Sequence, residues 1–215
     1  MYEKEHTPSH IMELGVAYLW AHRYEAAWDH FHSSIVRFPK SMCSFYGMAG
    51  VARWCLDDFK ESRRQWSDGI TAKYQDAAGL GIAMPLLLFT GSILKAGFFD
   101  RSEAIDALVE RSKDRRIKRW PGPIGNFLLG NIGEADVLAA MESKREIELR
   151  DRRWQFKFYR ALLSAKDGNL LVFKEEMRKL VDTSQPEWKD DDFFLARVWD
   201  EDFFIARHET EEMGR

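Results

Sequence analysis

Prolines, cysteines and any excess of one charge are scarce in this chain, and each scarcity excludes something. Six prolines in 215 residues, set among long segments of 3.6-residue periodicity, point to an all-α protein. Two cysteines, Cys43 and Cys55, are too few for a disulfide framework. On what reads as one helix they stand about 18 Å apart, beyond disulfide reach, so two reduced thiols in a cytoplasmic protein are expected. Thirty-two basic against 35 acidic residues leave a net charge of −3, which argues against nucleic-acid binding by the whole chain. The opening MYEKEHTPSH has no basic stretch leading into an apolar run, so no signal peptide is expected. The most apolar segment, Ile82 to Leu94, contains Pro85 and is too short to span a bilayer. No membrane role follows.

Catalytic signatures are missing as well. The chain has no H-E-x-x-H, C-x-x-C, G-x-S-x-G or phosphate-binding G-x-x-x-x-G-K-[ST]. His30 and His32 sit two apart on a helix, where side chains diverge by about 200° and cannot share a metal. Carboxylates fall in runs such as Asp190, Asp191 and Asp192, the usual form of a solvated face. The expectation is a protein without catalytic residues, metal or cofactor. A helical hydrolase or transferase would instead require a pocket with a perturbed carboxylate or histidine.

What is present is a repeat. Residues 8–41 contain Ile11, Leu14, Gly15, Tyr18, Ala27, Phe31 and Pro39 at the spacing W-x2-L-G-x2-Y, A-x3-F, P, with only the opening Trp replaced. Gly15 and Ala27 lack bulk, so two antiparallel helices approach closely. Leu14, Tyr18 and Phe31 fill the space around them, and Pro39 stops the second helix. Thirty-five residues on, Ala49–Gly50, Phe59, Ser62, Trp66 and Gly69 repeat the size classes of Leu14–Gly15, Tyr24, Ala27, Phe31 and Ser34. These residues resemble the tetratricopeptide repeat (TPR) family. The resemblance implies antiparallel helix pairs stacked as a short right-handed superhelix, and a protein-binding role without catalysis.

The expected organisation is one helical domain over 1–215. Two clear repeats occupy 8–75, degenerate helices 76–144, a further pair 145–184, and an acidic, aromatic capping tail 185–215. In the degenerate part, Met84 and Pro85 fall at the Leu–Gly positions, with Pro85 either beginning a helix turn or kinking the helix. Asp100 to Glu103 has capping-box form, and the helix it opens ends in a basic cluster from Arg111 to Arg119, read as a solvated helix end or an anionic contact. Pro121 and Pro123 should start a short helix that Gly130 ends. In the further pair Ala161 is the small residue and Gly168 the turn. Phe173, standing where a small residue belongs, should leave the two helices splayed or covered differently.

Two surfaces are candidates for a partner. The inner groove implied by the repeat is lined by Met12, Glu13, Val16, Trp20, Met48, Val51, Trp54 and Phe89. Three of these aromatics recur at spacings of 34 and 35, either packed between neighbouring pairs or serving as interface anchors. The second surface is the tail. Glu187 to Glu212 holds ten carboxylates against Lys189, Arg197 and Arg207, and includes Asp190, Asp191, Asp192, Phe193 and Trp199. It also contains an echo, DDFFLAR at 191–197 and EDFFIAR at 201–207, whose aromatic content exceeds what one packed face needs. The tail therefore either folds back or meets another molecule, with a homodimer among the arrangements. Small acidic-tailed helical proteins resemble bacterial immunity proteins, which occlude a cognate toxin. A basic nuclease domain would complement the acidic tail. The alternative is a general adaptor or chaperone for peptide segments.

Overall fold

The computed structural model describes residues 8–38, 42–72, 81–182 and 201–214, apart from the side chains at 115 and 116. The chain is all-α: among the described residues there are eleven α-helices, one 3-10 turn and no strands. The first six helices form three consecutive pairs: α1 (Pro8–Trp20) with α2 (Tyr24–Arg37), α3 (Cys43–Trp54) with α4 (Phe59–Ile70), and α5 (Ala83–Leu94) with α6 (Arg101–Ser112). A 3-10 turn at Arg115–Lys118 leads to α7 (Gly122–Leu128) and α8 (Glu134–Ala140). A longer pair follows, α9 (Glu146–Lys166) and α10 (Leu170–Asp182), and α11 (Glu201–Met213) comes last. Each helix of the first three pairs packs on its neighbours in sequence, and α3 also touches both α1 and α5.

Close approach within the pairs has the cause read from the sequence. A side chain on Gly15 would lie 2.2 Å from the Phe31 ring, and one on Gly50 would lie 2.1 Å from the Trp66 indole. Phe31 and Trp66 are fully buried, so ring stacks directly on helix backbone in both pairs. Seven residues after each glycine the chain turns through the left-handed region, at His22 (φ 55°) and Asp57 (φ 58°). Gly168 (φ 82°) stands seven residues after Ala161 and does the same for α9 and α10. The next amide donates five residues back in all three turns, Arg23 to Tyr18, Asp58 to Arg53 and Asn169 to Ser164, at 2.8–3.0 Å. This hydrogen-bonded ending satisfies carbonyls that a helix C-terminus otherwise leaves open.

The third pair corrects the expected register. Met84 and Pro85 lie in the first turn of α5, where proline's missing amide costs nothing, and both are buried. The close approach falls at Gly91, whose added side chain would meet the Phe99 ring at 2.5 Å. The spacing from Gly50 is thus 41 residues rather than 35, because the connection from α4 to α5 is longer. Phe99 bridges the pairs, with ring centroids 5.8 Å from Trp54 and 5.5 Å from Trp66.

Capping also works differently from expectation. Asp100 accepts from the Ser102 and Glu103 amides, but Glu103 does not reach back. It accepts from Arg63 Nε at 3.1 Å and from Ser67 at 2.9 Å, which ties α6 to α4. Arg111 is likewise no free helix end: it donates to the Ile70 carbonyl at 2.7 Å, at the C-terminus of α4. No described helix is long and apolar enough to cross a membrane.

Candidate functional site

The inner face that the repeat pattern leaves between α1, α3 and α5 is the place to look for a site. Its predicted lining is not open. Met12, Val16, Met48, Val51 and Trp54 have no exposed surface, Phe89 is buried, and Glu13 and Trp20 are half-buried. Met12, Val16, Met48, Val51, Trp54 and Phe89 are core residues in this structure, which corrects the reading of an exposed row of anchors. For Trp20 and Trp54 the last helix supplies the cover. α11 packs against α3, α9 and α10, and no residue from Asp202 to Met213 is exposed.

Polar contacts set α11 in place as much as apolar ones. At its start, Phe203 and Phe204 meet the Trp20 ring at centroid distances of 4.9 and 5.4 Å, and Phe203 also reaches Trp154 at 6.0 Å. Asp202, buried beneath them, accepts from the Tyr159 hydroxyl and from Gln155 Nε2, each at 2.8 Å. Gln155 Oε1 in turn accepts from Trp120 Nε1 at 2.7 Å. Burial pushes the Asp202 carboxyl up to about 6, against the pull of its two donors.

Midway along α11, Arg207 lies 5.3 Å above the Trp20 ring and donates to the Leu19 carbonyl at 2.9 Å. A cation therefore sits where the dipole of α1 ends. Two residues later Glu209 accepts from Trp54 Nε1 at 3.0 Å and pairs with Lys95 Nζ at 3.2 Å. The same ammonium stands 4.7 Å over the Phe59 ring. His208 faces Asp57 at 3.5 Å, across the turn between α3 and α4. Burial pushes the neighbouring Cys55 thiol up to about 12, so it is an inert core group.

Trp20 and Trp54 are thus brought together with one ligand, but that ligand is the chain's own C-terminus. Asp190, Asp191, Asp192, Phe193 and Trp199 lie outside the described residues. Half of the tail's ten carboxylates fall on α11, and of those Asp202 and Glu209 are buried and engaged within the fold, which removes them from any steering surface. Lys95, Gln155, Tyr159, Arg207 and Glu209 escaped the sequence reading as site residues. One signal was available: a terminal helix apolar over more than a single stripe belongs inside a protein, not on it.

Within the described residues, this face receives a helix of the same chain. Among the described residues no three His, Cys, Asp or Glu side chains gather as a metal site. Comparison of the chain with protein-family models, with curated protein sequences and with solved structures gives no match.

Proposed function

We propose that this chain is a non-enzymatic, TPR-like protein-binding protein, and most specifically an immunity protein of bacterial type. It would neutralise a cognate toxin by holding one folded domain against its outer surface. The observation that carries this reading is the filled inner face. With α11 packed on α3, α9 and α10, the described helices join in one core, and a preorganised binder loses little entropy on docking to a folded partner. The TPR-like character draws on Gly15 under Phe31, Gly50 under Trp66, and three helix endings of one geometry.

A basic nuclease domain remains the partner class that the sequence favours, now on a narrower footing. Glu187, Asp190, Asp191, Asp192 and Asp200 stand against Lys189 and Arg197 in the segment before α11. The test is co-expression with the product of the adjacent gene in the native genome. Relief of growth arrest and a one-to-one complex with suppressed nuclease activity are expected; arrest that persists at equal expression would sink the proposal.

The adaptor reading has one observation on its side, since the inner face does hold a helix. It requires α11 to leave that face, so an adaptor would bind unrelated helical peptides and lose α11's protection from hydrogen exchange as it did so.

A further inference from the structure

A cleft of about 630 Å³ runs between α9 and α10, and Phe127 of α7 lines it as well. Its apolar wall consists of Phe127, Ala161, Leu163, Val172 and Leu180. Lys157, Arg160 and Ser164 enter from α9 at helical spacings of three and four, and Glu176 and Lys179 enter from α10. Three cations and one carboxylate line the cleft, and two of the cations are ion-paired.

The cations are not equally committed. Arg160 bridges to Glu134 of α8 at 3.0 Å, and Lys179 pairs with Glu175 at 2.8 Å and with Glu176 at 3.4 Å on its own helix. Lys157 is exposed and forms no ion pair among the described residues. A separate observation marks the same place as a binding surface. Leu170, Leu171 and Val172, consecutive at the start of α10, are 57%, 84% and 50% exposed. Three adjacent apolar side chains in water are unfavourable unless something covers them, and Val172 carries the run into the cleft.

Apolar walls with a few polar groups, in a volume between about 300 and 1,000 Å³, describe a small-molecule site. We propose that this cleft binds a free amphiphilic carboxylate. Its hydrocarbon tail lies along Phe127, Leu163 and Val172, and its head is held by Lys157 with Arg160 and the Ser164 hydroxyl. Lys157 decides the sign of the head: it is the lining cation that no carboxylate among the described residues pairs with.

The experiment is calorimetric titration of the full chain with sodium dodecanoate below its micelle concentration. One saturable site is expected, together with no binding of dodecyltrimethylammonium. Lys157→Glu weakens binding about tenfold and Lys157→Arg preserves it, while Glu176→Gln tightens it about two- to threefold. Lys157 is on the surface, so circular dichroism should be unchanged in its variants. Four results would overturn the proposal: no saturable site, equal affinity for the cationic amphiphile, wild-type affinity in Lys157→Glu, or binding to anionic phosphatidylglycerol vesicles in place of dodecanoate. None involves a toxin, so this site and the immunity reading stand or fall separately.

Discussion

The two ends of the molecule are held by different physics. In α1 to α4, an aromatic ring lies on a glycine in each pair, and the contact is one of ring packing, local and repeated at 35 residues. Around α11 the specifying contacts are polar, buried and unique. Asp202 meets Tyr159, Glu209 meets Trp54 and Lys95, and Arg207 meets the Leu19 carbonyl 188 residues earlier. Apolar stacking sets how close two helices come. Buried polar groups set which helix may enter and in what register, because an unmatched one costs about 1–3 kcal/mol.

The hardest blow to that comparison is Trp54→Ala, since Trp54 belongs to both regions. It stacks on Trp66 at 5.6 Å and donates to Glu209. Removing it should cost about 4–5 kcal/mol in urea unfolding, from the cavity plus an abandoned carboxylate. A loss below about 1 kcal/mol would show that the indole is not part of the core. Next comes Gly50→Ala, which tests the apolar region alone. Trp66 is fully buried and bonded to the Gly47 carbonyl at 3.1 Å, so it has nowhere to move, and about 2–3 kcal/mol should be lost. Unchanged stability would mean that the pair is loosely packed.

Asp202→Asn probes the polar region through pH. The folded-state pKa of about 6 lies above the ordinary value of 3.8, so the folded chain binds this proton more tightly than the unfolded one. Stability contributed by the group is full below about pH 4, falls as pH rises towards 6, and is gone above it. Relative to Asp202→Asn, the wild type should therefore lose on the order of 2 kcal/mol between pH 4 and 7. Parallel stability curves for the two would remove the shift.

The turns offer a finer comparison, because one conformation is met by three residues. Gly168→Ala should cost about 1 kcal/mol, whereas His22→Gly should gain up to about as much, less the 2.9 Å hydrogen bond between His22 and Tyr24. Thermal melts of both variants check the opposite signs. Smallest of all, Arg64→Ala breaks ion pairs with Glu61 and Asp68 on the outside of α4, and should shift stability by less than about 0.5 kcal/mol.

Much of the helix pairing was legible residue by residue. Gly15 and Phe31, Gly50 and Trp66, the turn at Gly168 and the short helix between Pro121 and Gly130 all follow from spacing and residue size. The third pair was misread by six residues, because a fixed period carries no information about the length of the loop before it. The inner face was misread for a deeper reason. A groove position on a helix pair looks the same in sequence whether a partner, solvent or the chain's own tail fills it. The tail's surplus of aromatics was visible, but its destination was not.

By itself, then, the sequence determined the helices, the close-packed pairs and their endings, since these depend on side-chain volume and backbone preference within about 35 residues. Only the tertiary structure decided that the last helix packs on the pairs through Trp20 and Trp54, that Asp202 and Glu209 are interior groups, and that α9 and α10 leave a cleft between them. Those outcomes depend on which distant polar groups can satisfy one another once water is excluded, and no local pattern encodes that pairing.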